Sequence, residues 1–269
     1  MNGLLMALGF DYPLIRALWL MLGLGVVTWL VSVYKKDVSI VDSVWSILIL
    51  LAACVYWQSL VNPALRAWVM LGLSVLWALR LSIYITAKHW GKTEDRRYQR
   101  IRARNQPYFA FKSLYLVYVL QVLLAWLVAL PLYAGFLSAQ PWGLGDTVGS
   151  LLMLIGLVIE SVADQQMATY KAQKTTQLGV LNTGLWRYSR HPNYLGEFCI
   201  WWGFYLMAAC NGGAWTILSP LLMSVLLIKV SGVELLEKDI AYRLPGYQAY
   251  IESTPSFFPR LVPRKPSAD

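Results

Sequence analysis

Seven stretches of this chain are each apolar over a length that suits a membrane-crossing helix. They lie at residues 13–34, 38–60, 64–87, 109–137, 144–163, 194–210 and 214–233. A hydrocarbon core of about 30 Å takes roughly 20 helical residues to cross. Within it, only a helix or a closed barrel satisfies every backbone N–H and C=O. The sequence therefore predicts an all-α integral membrane protein: a bundle of about seven transmembrane helices forming a single multi-pass domain over residues 1–269. The fourth stretch is long enough to tilt, or to break at Pro131. The first does not read as a cleavable leader, because no basic residue precedes Arg16 and the apolar run continues too far.

Composition excludes the main alternatives. Hydrophobic residues make up 58% of the chain and charged residues 14%, against about 25% charged in soluble domains. That balance fits neither a soluble globule nor a disordered chain. The three cysteines, Cys54, Cys199 and Cys210, lie in apolar stretches without a CxxC pair, and there are only two histidines. Neither a disulfide framework nor a metal centre is predicted.

The basic residues give the orientation. Twenty of the twenty-three Lys and Arg fall in alternate loops, at the stretch ends beside them or in the C-terminal tail, eight of them from Lys88 to Lys112. The intervening loops around 138–142 and 211–213 carry none. The positive-inside rule then puts the N-terminus outside and the C-terminus in the cytoplasm. Short loops favour a bacterial inner membrane. The +9 net charge follows topology and forms no domain of its own, so nucleic acid is not an expected partner. The charge run at 88–105 reads as a solvated, lipid-facing helix end. No obligate protein partner is evident.

Ionisable residues inside spans cost about 2.5–3.5 kcal/mol each on insertion scales and are functional candidates by default. Here they are Asp42 in the second stretch, Arg80 in the third, and Glu160 and Asp164 one turn apart at the end of the fifth. Arg80 could serve only to pair with Asp42 or Glu160; the alternative is a polar cavity open to the cytoplasm. The densest polar chemistry runs from Thr183 to Glu197. There Arg187, Arg190 and His191 precede Pro192, a residue suited to the first turn of a helix. Asn193 and Glu197 then fall on one face, with Gly196 allowing close approach. Cations beside helix-start N–H groups suit an anion. The Asn–Glu pair suits an amide, an adenine or a ribose hydroxyl. No Walker loop, GxSxG or HExxH occurs, so hydrolysis is not expected.

The stretch 181–197, together with Gly-Val-Glu-Leu-Leu-Glu, Pro-Gly-Tyr-Gln-Ala-Tyr and Phe-Phe-Pro-Arg in the tail, resembles the C-terminal domain of membrane steroid 5-alpha-reductases. It is most similar to their bacterial DUF1295 relatives. The resemblance covers most of the chain, is strongest over about the last 110 residues, and makes 100–269 the most family-like part. Isoprenylcysteine carboxyl methyltransferases and phospholipid methyltransferases share the Arg-His-Pro-x-Tyr-x-Gly pattern, so that pattern alone does not separate the two chemistries.

What the resemblance implies is a seven-helix fold holding NADPH in a cytoplasm-facing cavity, with a role in lipid metabolism. Asn193, Tyr194 and Glu197 match the family's cofactor-contacting segment, and Asp164 matches an acidic contact. Lys171 stands where the family often has Arg, while Arg80 and Tyr84 resemble a cofactor-binding pair. The catalytic Glu and Tyr of the steroid reductases have Asp42 and Trp77 as approximate counterparts. Trp can donate through its indole N–H but cannot supply a proton as a Tyr hydroxyl can. Glu234 and Glu237 stand where steroid reductases carry more basic residues, and they resemble the methyltransferases in this. The expected activity is hydride transfer from NADPH to a conjugated carbon–carbon double bond of a lipophilic substrate. Asp42, Trp77 and Tyr84 are the catalytic candidates, and Arg187, Arg190, His191 and Lys171 would hold phosphates. The alternative is an S-adenosylmethionine-dependent methyltransferase using the same pocket.

Overall fold

A computed structural model of the chain describes residues 12–173, 179–230, 237, 244 and 246–260. Among these, helices dominate and no strand occurs. Glu234 and the end of the predicted seventh stretch lie outside the described residues. Six helices are long and apolar enough to cross a membrane: α1 (Pro13–Lys35), α2 (Ile40–Gln58), α3 (Leu65–His89), α5 (Phe109–Leu137), α6 (Leu144–Ala172) and a sixth run, Pro192–Lys229. A short surface helix, α4 (Arg96–Arg104), links α3 to α5.

The count of six differs from the predicted seven because the last two stretches join into one 38-residue run. That run is not a straight helix. It comprises α7 (Pro192–Ala208), a turn in which Asn211 (φ −126°, ψ 30°) and Gly212 (φ +90°, ψ −2°) leave helical geometry, and then α8 (Leu218–Val225). A left-handed φ costs glycine little, which is why the break falls at Gly212. In α5 the expected interruption lies beside Pro131. Ala129 leaves the regular hydrogen-bonding pattern, and Pro131 is the second residue of the next helical segment, in the first turn where its missing N–H is harmless.

The chain divides into two compact units, Met1–Gly143 with Ala208–Thr216, and Leu144–Met207 with Ile217–Asp269. In the first, α1 shows why water is the wrong solvent. Its buried face carries Ala17, Met21, Gly25, Thr28 and Ser32, while Val27 and Leu30 are more than half exposed. Small and hydroxyl residues inside with large apolar residues outside is the pattern of a helix solvated by lipid. The core of this unit gathers Leu48, Ile49, Ala52, Tyr56, Met70 and Leu132. Arg66, at the start of α3, is almost wholly buried. It donates to the carbonyls of Ser138, Gln140 and Pro141 (3.4, 3.3 and 3.1 Å) and to Asn211 Oδ1 at 2.6 Å.

In the second unit α6 packs on α7 through glycines spaced seven apart. A Cβ on Gly156 would lie 2.5 Å from the Gly196 carbonyl oxygen, and one on Gly203 would lie 2.6 Å from that of Gly149. Small residues at such spacing let two backbones touch. The same contact sets the Gly196 end of α7 against the backbone of Glu160. A short helix, α9 (Tyr247–Ser253), belongs to this unit.

Candidate functional site

The polar residues of the second unit gather at the start of α7. Gly184, at φ +58°, opens a 3-10 turn (Gly184–Arg187), and a Cβ there would strike the Gln166 amide of α6 at 2.4 Å. Gln166 Oε1 accepts from Leu185 N–H at 3.0 Å, and the Trp186 indole N–H donates to the Ala163 carbonyl at 3.1 Å. These bonds fix the stretch that delivers Ser189, Arg190 and His191 to the helix start. Pro192 opens α7, as its missing N–H predicts.

Arg190 and His191 turn toward the tail. The Arg190 guanidinium makes a forked pair with Glu237, Nε to Oε1 at 2.7 Å and Nη2 to Oε2 at 2.9 Å. Its Nη1 donates to the carbonyls of Ile251, at 2.9 Å, and Thr254. His191 Nε2 lies 3.0 Å from Glu237 Oε1, and the imidazole stacks on the Tyr194 ring with centroids 5.5 Å apart. Around this clasp, Arg190 N–H donates to the Pro255 carbonyl at 2.9 Å and Ser189 Oγ to that of Phe257 at 2.8 Å, while the Tyr250 hydroxyl donates to the Trp186 carbonyl. Burial would push the Glu237 carboxyl up, but His191 and Arg190 pull it down to about 2. Burial and the nearby Glu237 charge push Tyr247 up to about 12.

Arg190 and His191, expected beside a cofactor phosphate, are bonded here to the Glu237 carboxylate, and Arg190 also to two backbone carbonyls. Arg187 and Lys171 are exposed. Asn193 and Glu197 sit one turn apart on α7. Glu197 is buried and accepts from the Trp201 indole N–H at 3.0 Å. Asn193 Oδ1 is buried with no hydrogen-bond partner. Glu160 and Asp164 on α6 are also buried. The second unit thus brings Asn193, Tyr194 and Glu197 to one helix start and sets Glu160 against Gly196.

In the first unit, Trp77 is fully buried and meets Trp45 edge-on at 6.5 Å. The Arg80 guanidinium carbon lies 5.8 Å from the centroid of the Tyr84 ring, which joins two of the expected residues. Asp42 has other company. Its carboxylate accepts from Arg97 Nη2 at 2.7 Å and from the Tyr98 hydroxyl at 2.6 Å. Asp42, one of the two acids considered as a partner for Arg80, is thus paired with Arg97, a residue read as part of a solvated charge run. Asp95 caps α4 through Arg97 N–H at 2.9 Å, and His89 and Arg97 hold its carboxyl well below the usual carboxylate range. Sequence reasoning missed Arg97 and Tyr98, and it noted Glu237 without its pairing to Arg190 and His191. The signal available was Glu94-Asp95 within an otherwise basic segment, since acids there need a structural reason.

The fold defines a multi-pass integral membrane protein whose polar residues collect at helix ends. The chain belongs to the DUF1295 family of proteins of unknown function, whose model matches residues 28–254. It is similar to the uncharacterized protein C594.04c of Schizosaccharomyces pombe, with 31% identity over 278 residues covering 93% of this chain and 80% of that relative. No solved structure matches it.

Proposed function

We propose that this chain is an NADPH-dependent membrane reductase that reduces a conjugated carbon–carbon double bond in a lipophilic enone or enoyl substrate, 3-oxo-4-ene steroids included. The observation that carries ligand binding is Asn193 Oδ1, a buried acceptor without a donor. A buried polar atom of this kind costs about 1–3 kcal/mol unless something pairs with it, and a carboxamide N–H or a ribose hydroxyl would do so. Glu197, one turn on, offers a further acceptor. The choice of NADPH rests on the resemblance of the His191–Glu197 segment to the steroid 5-alpha-reductases. Exposed Arg187 and Lys171 are assigned to the phosphates, while Arg190 and His191 hold the tail in place. Bound NADPH supplies a hydride for the β-carbon of the substrate. Tyr84, with Arg80 over its ring, is assigned to polarising the carbonyl and giving up the proton. Trp77 can offer only an N–H, and Asp42 positions Arg97 and Tyr98.

One observation favours a second reading. Arg190 and His191 are turned to Glu237, and Glu160, Asp164 and Glu197 are buried carboxylates. That set suits the cationic, phosphate-free S-adenosylmethionine of a methyltransferase. Thermal unfolding of the purified protein with each cofactor separates the two, because a ligand at 100 times its Kd stabilises by about 2.7 kcal/mol. A rise in Tm with NADPH is the expected result, and a rise with S-adenosylmethionine alone overturns the reductase.

We also infer seven passes, with the N-terminus outside and the C-terminus cytoplasmic. Arg66 at the start of α3 bonds both the loop after α5 and Asn211. These bonds support that reading, because they set the break at Asn211 and Gly212 beside the start of α3 and the loop after α5. Cysteines placed at 139 and 212 should label from outside with an impermeant maleimide, and one at 92 should not. Labelling of all three from one side would refute the topology.

A further inference from the structure

The residues that follow α9 combine an uncharged sequence with a fixed course along the entry to α7. Pro-Ser-Phe-Phe-Pro, residues 255–259, carries no charge, and the nearest charged residues are Glu252 before it and Arg260 after it. Arg190 takes the Thr254 carbonyl through its guanidinium and the Pro255 carbonyl through its backbone N–H at 2.9 Å. Ser189 Oγ donates to the Phe257 carbonyl at 2.8 Å, and Arg260 N–H donates back to the Tyr188 carbonyl at 3.2 Å. Both ends of the segment are thereby tied beside residues 188–190.

The middle of the segment reaches further along α7. Phe257 is buried and meets the Phe198 ring edge-on, with centroids 5.7 Å apart. Phe258 meets the same ring edge-on at 5.8 Å yet is 61% exposed. Phe198 stands six residues after Pro192, where a run long and apolar enough to cross a membrane begins. At 1.5 Å per residue, that is about 9 Å inward along the helix. Irregular backbone is tolerated at such a depth only where protein satisfies its polar groups. Here the prolines at 255 and 259 bring no N–H, and the carbonyls of Thr254, Pro255 and Phe257 each have a donor from Ser189 or Arg190.

We propose that residues 255–259 form a re-entrant wedge that dips into the bilayer beside α7, with the Phe258 ring among acyl chains and Arg260 at headgroup level. Lipid is the occupant because the exposed ring continues the flank of a span and no charge lies within the segment. An arginine at its end can keep its guanidinium in the interface while its stem follows the apolar surface. The proposal needs α7 to begin at a membrane face and is independent of which cofactor the chain binds.

The test puts a spin label at position 258 of the full chain in lipid nanodiscs, in a C54A/C199A/C210A background. A label on F258C should be relaxed several-fold more by oxygen, which partitions into lipid, than by a water-soluble nickel chelate. V158C supplies the lipid reference: Val158 is exposed on α6, between the two residues that Gly196 touches, and so matches the depth of this part of α7. Q248C, exposed on α9, supplies the aqueous reference. A label at 258 that behaves like the one at 248 overturns the proposal. So does a label shielded from both reagents, which would mean that protein covers the ring. The unaltered chain gives a reading that needs no substitution. A phospholipid with a diazirine near the ester end of its acyl chain should, on irradiation, modify Phe258 as it modifies Val158. Modification of Val158 without Phe258 overturns the proposal.

Discussion

Arg190 and Glu237 face each other across 47 positions of sequence with two parallel charge-assisted hydrogen bonds, at 2.7 and 2.9 Å. The guanidinium has a further donor for the carbonyls of Ile251 and Thr254. One side chain just before the first turn of α7 thereby holds two separate parts of the tail. A lysine would supply one point of contact where the arginine supplies a fork.

Stability should follow the titration of Glu237. Its carboxyl is held down to about 2 in the folded chain, against about 4.3 for an ordinary glutamate. The clasp is then complete above the ordinary value and is lost as pH falls from there toward 2. Its contribution above that window is about 3 kcal/mol at most. Thermal unfolding between pH 6 and 3 should show a falling Tm that flattens in Glu237→Gln. Parallel curves for the two proteins would count against the clasp.

Asp42 and Arg97 should behave as a coupled pair. Removing either partner leaves a largely buried charge, so Asp42→Asn and Arg97→Gln should each cost about 2–3 kcal/mol. The double variant should cost little more than either alone, a coupling of about 1–3 kcal/mol. Simple additivity in detergent denaturation would show that the two carboxylate bonds are unimportant to the fold.

Gly196 and Gly23 give a matched contrast. A Cβ at Gly196 would sit 2.6 Å from the Gly156 oxygen and 2.7 Å from Glu160 N, whereas one at Gly23 meets nothing within 4 Å. Gly196→Ala should lower stability by about 1–3 kcal/mol. Gly23→Ala should be neutral or gain up to about 1 kcal/mol. Equal Tm values would mean that α6 and α7 are not in backbone contact.

Asn193→Ala and Glu197→Gln address the ligand directly. Each should leave the unliganded Tm within a few degrees and reduce the shift produced by the cofactor, Asn193→Ala more strongly, since its oxygen lacks any other partner. An undiminished shift would remove the start of α7 from the binding site.

The positions of the first five apolar helices were legible in the sequence because lipid imposes one rule on the whole length of a span. The starts of α6 at residue 144 and of α7 near Pro192 fell within two residues of expectation. Sequence reading separated the last two stretches where the structure has one broken run, because Gly212 and Gly213 mark a turn without fixing how helical its flanks remain. Polar pairings were much less legible. Asp42 lies 55 positions from Arg97 and Arg190 lies 47 from Glu237, and nothing local to Asp42 distinguishes Arg97 from Arg80. An acid among basic residues shows that a partner exists without saying which one.

Arg66 carries a lesson about the order of assembly. It precedes Asn211 by 145 positions, so in synthesis its charge reaches the membrane long before that acceptor is made. The first three spans must wait with this guanidinium at the lipid–water boundary. The bond that anchors the turn at Asn211 cannot close before residue 211 is made, and a chain stopped short of it would leave Arg66 without that acceptor.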